Sequence, residues 1–291
     1  MLNRRDFVKL SLIGTSTLWG NLKSFSMGSK PAARSLGVQL YSLKDILAKQ
    51  PMEKILEQLA QYGITYLEGF VADPNMQNSD YKKLANQCSA NQMKFISMHC
   101  KIYQNPNETI KLFENTGVQY LICPMLPIEK RTIEDYKQIA KKFNEIGKLC
   151  KEQGAKFAYH NHHYAFLELE KQIPMNILLD ETDPEYVEFQ MDIYWVFIAK
   201  QDPLAWMKKY KSRFTSCHLK DATNELLTSK YFQIDNYRKS CEMGTGIIDY
   251  KSILKESNHN FQYFFIEQDH FSKHEPLDSV KISANYLKSI L

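Results

Sequence analysis

Three histidines fall within four positions in FAYHNHHYAF, residues 157–166. On a strand, His160 and His162 share one face and Asn161 points the other way. Two imidazoles that face a pocket can hold a metal; two that face water are a polar strand end. Other short apolar runs close in the same way. They end at Glu68, at His99, at Asp192, at His218 with Lys220 and Asp221, and at Glu267 with Asp269. Buried polar groups are costly unless paired or bound to a metal. Their recurrence at equivalent ends argues for one shared site. His, Asp, His and Glu together suit Mn, Zn, Co or Fe(II), and Mg less well. No cysteine stands among them, so a structural thiolate zinc site is not indicated.

The elements that must position these residues follow a regular beat. Strand-like runs lie at 36–41, 65–70, 94–100, 119–125, 156–162, 187–195, 214–221 and 263–269. Segments with helical spacing lie between them at 52–62, 80–91, 107–116, 133–153, 173–179, 203–210, 250–257 and 276–290. Turns such as YGIT, TGVQ and QGAK lead helices into strands. Eight β-then-α units imply a parallel sheet, and their number fits a (β/α)8 TIM barrel better than an open doubly wound sheet. No G-x-G-x-x-G follows the first strand, which removes the main sign of a dinucleotide fold. Residues 222–249 break the beat and read as a long loop capping the mouth.

The chain has 291 residues, 44% of them hydrophobic, with a formal net charge of +4. That is enough apolar material for a single large core, and no basic stripe with interleaved aromatics marks a nucleic-acid surface. The six cysteines form no C-x-x-C and read as buried free thiols rather than a disulfide framework. The N-terminus, MLNRRDFVKLSLIGTSTLWG, pairs Arg4-Arg5 with a moderately apolar stretch and resembles a twin-arginine export signal. Residues 1–33 are therefore set apart as signal and linker, residues 34–291 as one barrel domain, and the expected location is the periplasm or beyond. No segment is long enough to span a bilayer.

The motifs YHNH, MDIYW, HLKD, GTGIID and FIEQD, with the opening GVQLYSLKD and GITYLEGF, resemble the sugar phosphate isomerase/epimerase family of xylose isomerase-like TIM barrels. The resemblance runs over essentially the whole chain after the signal. It implies one divalent metal held by His160, Asp192, His218 and Glu267. Sugar epimerases of this family usually carry glutamate where His160 stands, and use two opposed glutamates on the substrate. Only Glu267 of that pair is present here. His162 is the alternative to His160 as ligand, or else a substrate contact.

The remaining candidates take roles around that metal. Glu267, His99 and Lys220 are expected to do the proton and oxyanion chemistry. Glu68, His162, Trp195 and Asp221 are expected to bind a small-molecule sugar. A metal beside a carbonyl and a hydroxyl favours α-proton loss to an enediolate. Proton return gives isomerisation or epimerisation, the first expectation; loss of a β-leaving group gives a lyase or hydratase on a keto-sugar or 3-keto-glycoside, the second. A carbohydrate-binding barrel without catalysis is the third. GTG at 244–246 is a faint candidate for a phosphate cradle. Its weakness, together with export, points to an unphosphorylated sugar. The sequence leaves the oligomeric state open.

Overall fold

The eight predicted strands all form, and in the computed structural model they close on one another. The structure describes residues 36–71, 75–126, 132–225, 239–257 and 261–291. The barrel strands are β1 (Leu36–Gln39), β2 (Ile64–Phe70), β3 (Lys94–His99), β4 (Tyr120–Cys123), β5 (Lys156–His160), β6 (Val187–Asp192), β7 (Phe214–Leu219) and β10 (Tyr263–Ile266). Two short strands, β8 (Asp221–Ala222) at the start of the expected capping insertion and β9 (Ser240–Cys241) within it, pair antiparallel. The barrel order is β1-β10-β7-β6-β5-β4-β3-β2, closed, with each neighbouring pair parallel. The proposed export segment and residues 226–238 of the expected capping loop lie outside the described residues.

One unit illustrates why these residues fold this way. In helix Ile133–Glu152, Ile139, Phe143, Ile146 and Cys150 recur at helical spacing and are buried. Thr132 and Asp135 exchange side-chain hydrogen bonds with each other's backbone N–H and start the helix. Gly154, at φ 75°, turns the chain left-handed into β5. On β5 the side chains alternate. Phe157 and Tyr159 point outward onto Phe143, at ring-centroid distances of 5.0 and 5.3 Å. Ala158 and His160 point into the barrel. Truncating Phe143 to alanine would cost roughly 3–5 kcal/mol.

The barrel interior is divided along its axis. At the N-terminal end Tyr263 packs edge-on against Tyr66 and Tyr120, at 5.1 and 5.7 Å. Phe265 fills the space above, which Gly37 leaves open: a Cβ on Gly37 would overlap its ring. At the C-terminal end the inward positions become polar. The helices cover the outside of the sheet, where the main apolar core lies.

Two expectations change. The run 187–195 is not one strand. It stops at Asp192, whose carboxylate accepts the Trp195 N–H and caps a new helix, Ile193–Ile198. A short helix at Lys44–Leu47 was not foreseen. None of the six cysteines forms a disulfide, and five are buried, as the sequence suggests. Among the described residues no helix is long and apolar enough to cross a membrane.

Candidate active site

Strand alternation brings Gln39, Glu68, Ser97, His99, His160, Gln190, Asp192 and His218 to the inner face, with Glu267 one residue beyond β10. All nine are buried. His160, Asp192, His218 and Glu267 each present a ligand atom, and these atoms all lie within 4.8 Å of one another. The site fits a divalent cation on its own chemistry. Two imidazoles and two carboxylates form the donor set. Asp192 Oδ2 is buried and accepts no hydrogen bond. Lys220 Nζ is 3.4 Å from it and His160 Nε2 is 3.8 Å.

Protonation follows from surroundings. Burial, with His218 and His99 nearby, holds His160 neutral, its pKa well below the ordinary value. Burial also opposes charge on His218, but Glu267 and Glu68 outweigh it and push that imidazole up to about 10. Burial raises Asp192 to about 6, against the pull of Lys220 and His218. Glu267 is opposed by burial too, yet Lys220 and His218 hold it well below the usual carboxylate range.

Glu68 does not reach toward substrate as expected. It is fully buried behind the histidines, and both oxygens are engaged. Gln39 Nε2 donates at 2.9 Å, Ser97 Oγ at 2.6 Å and Gln190 Nε2 at 2.8 Å, and His218 Nε2 donates as well. These partners, above all the histidines, overcome burial and depress its pKa. His99 Nε2 is 2.8 Å from Gln190 Oε1 and 3.2 Å from Glu68 Oε1.

Lys220, just past β7, is 2% exposed. Its Nζ lies 2.6 Å from Asp269 and 2.8 Å from Glu267. Burial disfavours the ammonium, but Asp269, Glu267 and Asp192 outweigh it and hold the pKa well above normal. The Tyr250 hydroxyl donates to the Lys220 carbonyl at 2.6 Å and fixes the backbone there.

Trp195 is 5% exposed and forms one side of an aromatic group over this lysine, with its ring 5.6 Å from Nζ. His162 lies 5.4 Å from that ring and stacks parallel to Tyr164 at 5.7 Å. Its Nδ1 has no hydrogen-bond partner. Burial and Lys220 push its pKa down to about 3. Of the two candidates for first ligand, the converging set contains His160 and not His162. The third histidine of the cluster, His163, is buried against Trp195.

Asp221 stands apart. In place of a substrate contact, its carboxylate accepts four backbone N–H bonds. Ala222 and Ile248 donate to Oδ1 at 2.8 and 3.2 Å, and Gly244 and Gly246 to Oδ2 at 3.0 and 3.1 Å. A Cβ on Gly246 would overlap this carboxylate. The GTG segment is therefore not a phosphate cradle: the N–H groups of both glycines are already used by a side-chain anion.

Sequence reading missed Gln39, Ser97 and Gln190. All three are uncharged; Ser97 and Gln190 sit inside their strands, and Gln39, which ends β1, falls inside the longer run 36–41 expected from sequence. Ser97 and Gln190 each lie two residues before a chosen residue, His99 or Asp192, so period-two counting back from those ends would have found them.

Comparison with known proteins agrees with the architecture. The xylose isomerase-like TIM barrel family matches residues 56–290. An inosose dehydratase of Clostridium tetani is 29% identical over 137 residues, 44% of this chain and 45% of the relative. One from Salmonella agona is 23% identical over 216 residues, covering 69% and 71%. The chain spans about half the length of the first such relatives it matches. A solved sugar phosphate isomerase/epimerase from Parabacteroides distasonis superposes with a TM-score of 0.74 at 24% identity, covering 91% of this chain and 97% of that one. That likeness carries the fold alone. The closed eight-stranded barrel and the match over most of its length place the chain in the xylose isomerase-like TIM barrel family.

Proposed function

We propose that this protein is a metal-dependent carbohydrate enzyme that removes a proton α to a carbonyl and then expels a β-substituent from an unphosphorylated keto-sugar or keto-glycoside. The observation that carries the reading is the convergence of His160, Asp192, His218 and Glu267 beside the buried Lys220 ammonium. A divalent cation held by those four residues would polarise a substrate carbonyl and offset the negative charge that forms when the proton leaves.

The protein's own groups divide the remaining work. His99 has its Nε2 committed to Gln190 and Glu68, so Nδ1 is its basic nitrogen and takes the α-proton. Lys220 faces the charge that develops on substrate oxygen. The electron pair from the broken C–H bond forms the new double bond, and the β-oxygen departs with a proton from solvent at the mouth. Trp195 and His162 form an apolar wall for a sugar ring. The dehydratase relatives fit this outcome, as does the single glutamate at the centre.

Isomerisation or epimerisation, the first expectation from sequence, shares the proton abstraction. It is the second reading. It requires a second group to return the proton, and Glu267 is the carboxylate in place for that. Export through the twin-arginine-like N-terminus is part of the proposal and agrees with an unphosphorylated substrate.

Product analysis separates the readings. Metal-loaded protein is incubated with unphosphorylated sugars and their 3-keto forms. An α,β-unsaturated carbonyl product with release of the β-substituent supports elimination. A rearranged sugar of unchanged mass supports isomerisation or epimerisation.

A further inference from the structure

An imidazole binds a metal only through a nitrogen that carries no proton, so a histidine ligand needs its tautomer set, whereas a carboxylate ligand does not. The buried network behind the site sets it. Glu68, ringed by donors, only accepts hydrogen bonds. The end of the Gln190 amide that meets Glu68 Oε2 at 2.8 Å is therefore its NH2 group. That fixes Oε1 toward the histidines, where it lies 3.0 Å from His160 Nδ1 and 2.8 Å from His99 Nε2. An amide oxygen only accepts, so each of those ring nitrogens carries a proton. His160 is left with its lone pair on Nε2, the nitrogen on the Asp192 side.

His218 differs: its Nε2 donates to Glu68 and its Nδ1 to Glu267 Oε2 at 2.9 Å, so Nδ1 would take a cation only on losing that proton. Both ligand nitrogens thus face ligand carboxylates. Gln190 is fully buried, its amide is used at both ends, and it is not one of the four converging residues.

We propose that Gln190 is the positioning residue that makes His160 a metal ligand: anchored by Glu68, its amide oxygen holds the His160 proton on Nδ1 and frees Nε2 for the cation. This rests on reading the four converging residues as a metal centre, not on the reaction catalysed there.

The test uses Zn2+ alone, its affinity measured by competition with a chromophoric chelator. Gln190→Met keeps length and removes the acceptor. In the His160 protein it should weaken Zn2+ binding roughly 10–100-fold. In a His160→Glu background, where the ligand has no tautomer, the same change should alter affinity less than about threefold. An equal loss in both backgrounds would mean that Gln190 only supports the fold, and would overturn the proposal. Long-range 1H–15N spectra of the metal-free wild type, with His160 assigned by its loss in His160→Gln, should show the Nδ1–H form. An Nε2–H form at His160 would also overturn it. A protein that binds zinc in this way but processes no keto-sugar would fail the catalytic reading and leave this one standing.

Discussion

Lys220 Nζ lies 2.8 Å from Glu267 Oε2, so a fixed cation borders the place where a metal would sit. Asp269 holds the same nitrogen from the other side at 2.6 Å. The proposed reaction uses this lysine to meet charge on substrate, not as a ligand. Lys220→Met should lower kcat by roughly 10²–10³, the scale for losing one stabilising donor. Its metal content should stay at the wild-type level, because the four ligands remain. Steady-state kinetics with metal analysis of the same sample checks both. Loss of the metal together with activity would show the lysine to be a structural prop for the ligands.

His162 and His160 should separate cleanly. His162→Phe keeps a ring against Trp195 and Tyr164 and removes both ring nitrogens, among them the unpartnered Nδ1. It should retain metal and raise KM for a sugar several-fold, on the scale of about 1 kcal/mol for one hydrogen bond. His160→Phe should lose the metal. Metal content of the two purified variants decides between the nitrogens, and depletion in His162→Phe would reverse the assignment.

Asp221 gathers four backbone N–H groups of the GTGII segment and its own neighbour. Asp221→Asn replaces one acceptor with a donor that faces further donors. We expect a loss of about 2–3 kcal/mol in unfolding free energy, the scale for hydrogen bonds to a buried charge. Chemical denaturation measures it. An unchanged midpoint would mean that this loop is held by other contacts.

Much of this was legible in the sequence because a barrel repeats one simple pattern. Apolar strands ending in His, Asp or Glu mark the mouth, and helical spacing marks what lies between. What was hidden depended on distance in three dimensions. Gln190 looks like an ordinary strand residue until closure of the barrel brings His99 and Glu68 to it, across 91 and 122 residues of chain. Asp221 follows HLK as if it belonged to the mouth, but a loop some twenty residues on supplies its partners. The run IYW after Asp192 is apolar and aromatic, so it reads as strand; its cap, visible only as a hydrogen bond, makes it helix.

The central claim is proton abstraction α to a carbonyl that depends on a metal at this cluster. The most direct measurement follows deuterium in D2O, by NMR, into keto-sugars incubated with the protein before and after chelation. His218→Ala and Glu267→Ala are run alongside. The account predicts one divalent metal per chain, absent from both variants, and deuterium α to the carbonyl only with the metal in place. Exchange that survives metal removal, or a wild-type protein that binds no metal and exchanges nothing, would contradict it.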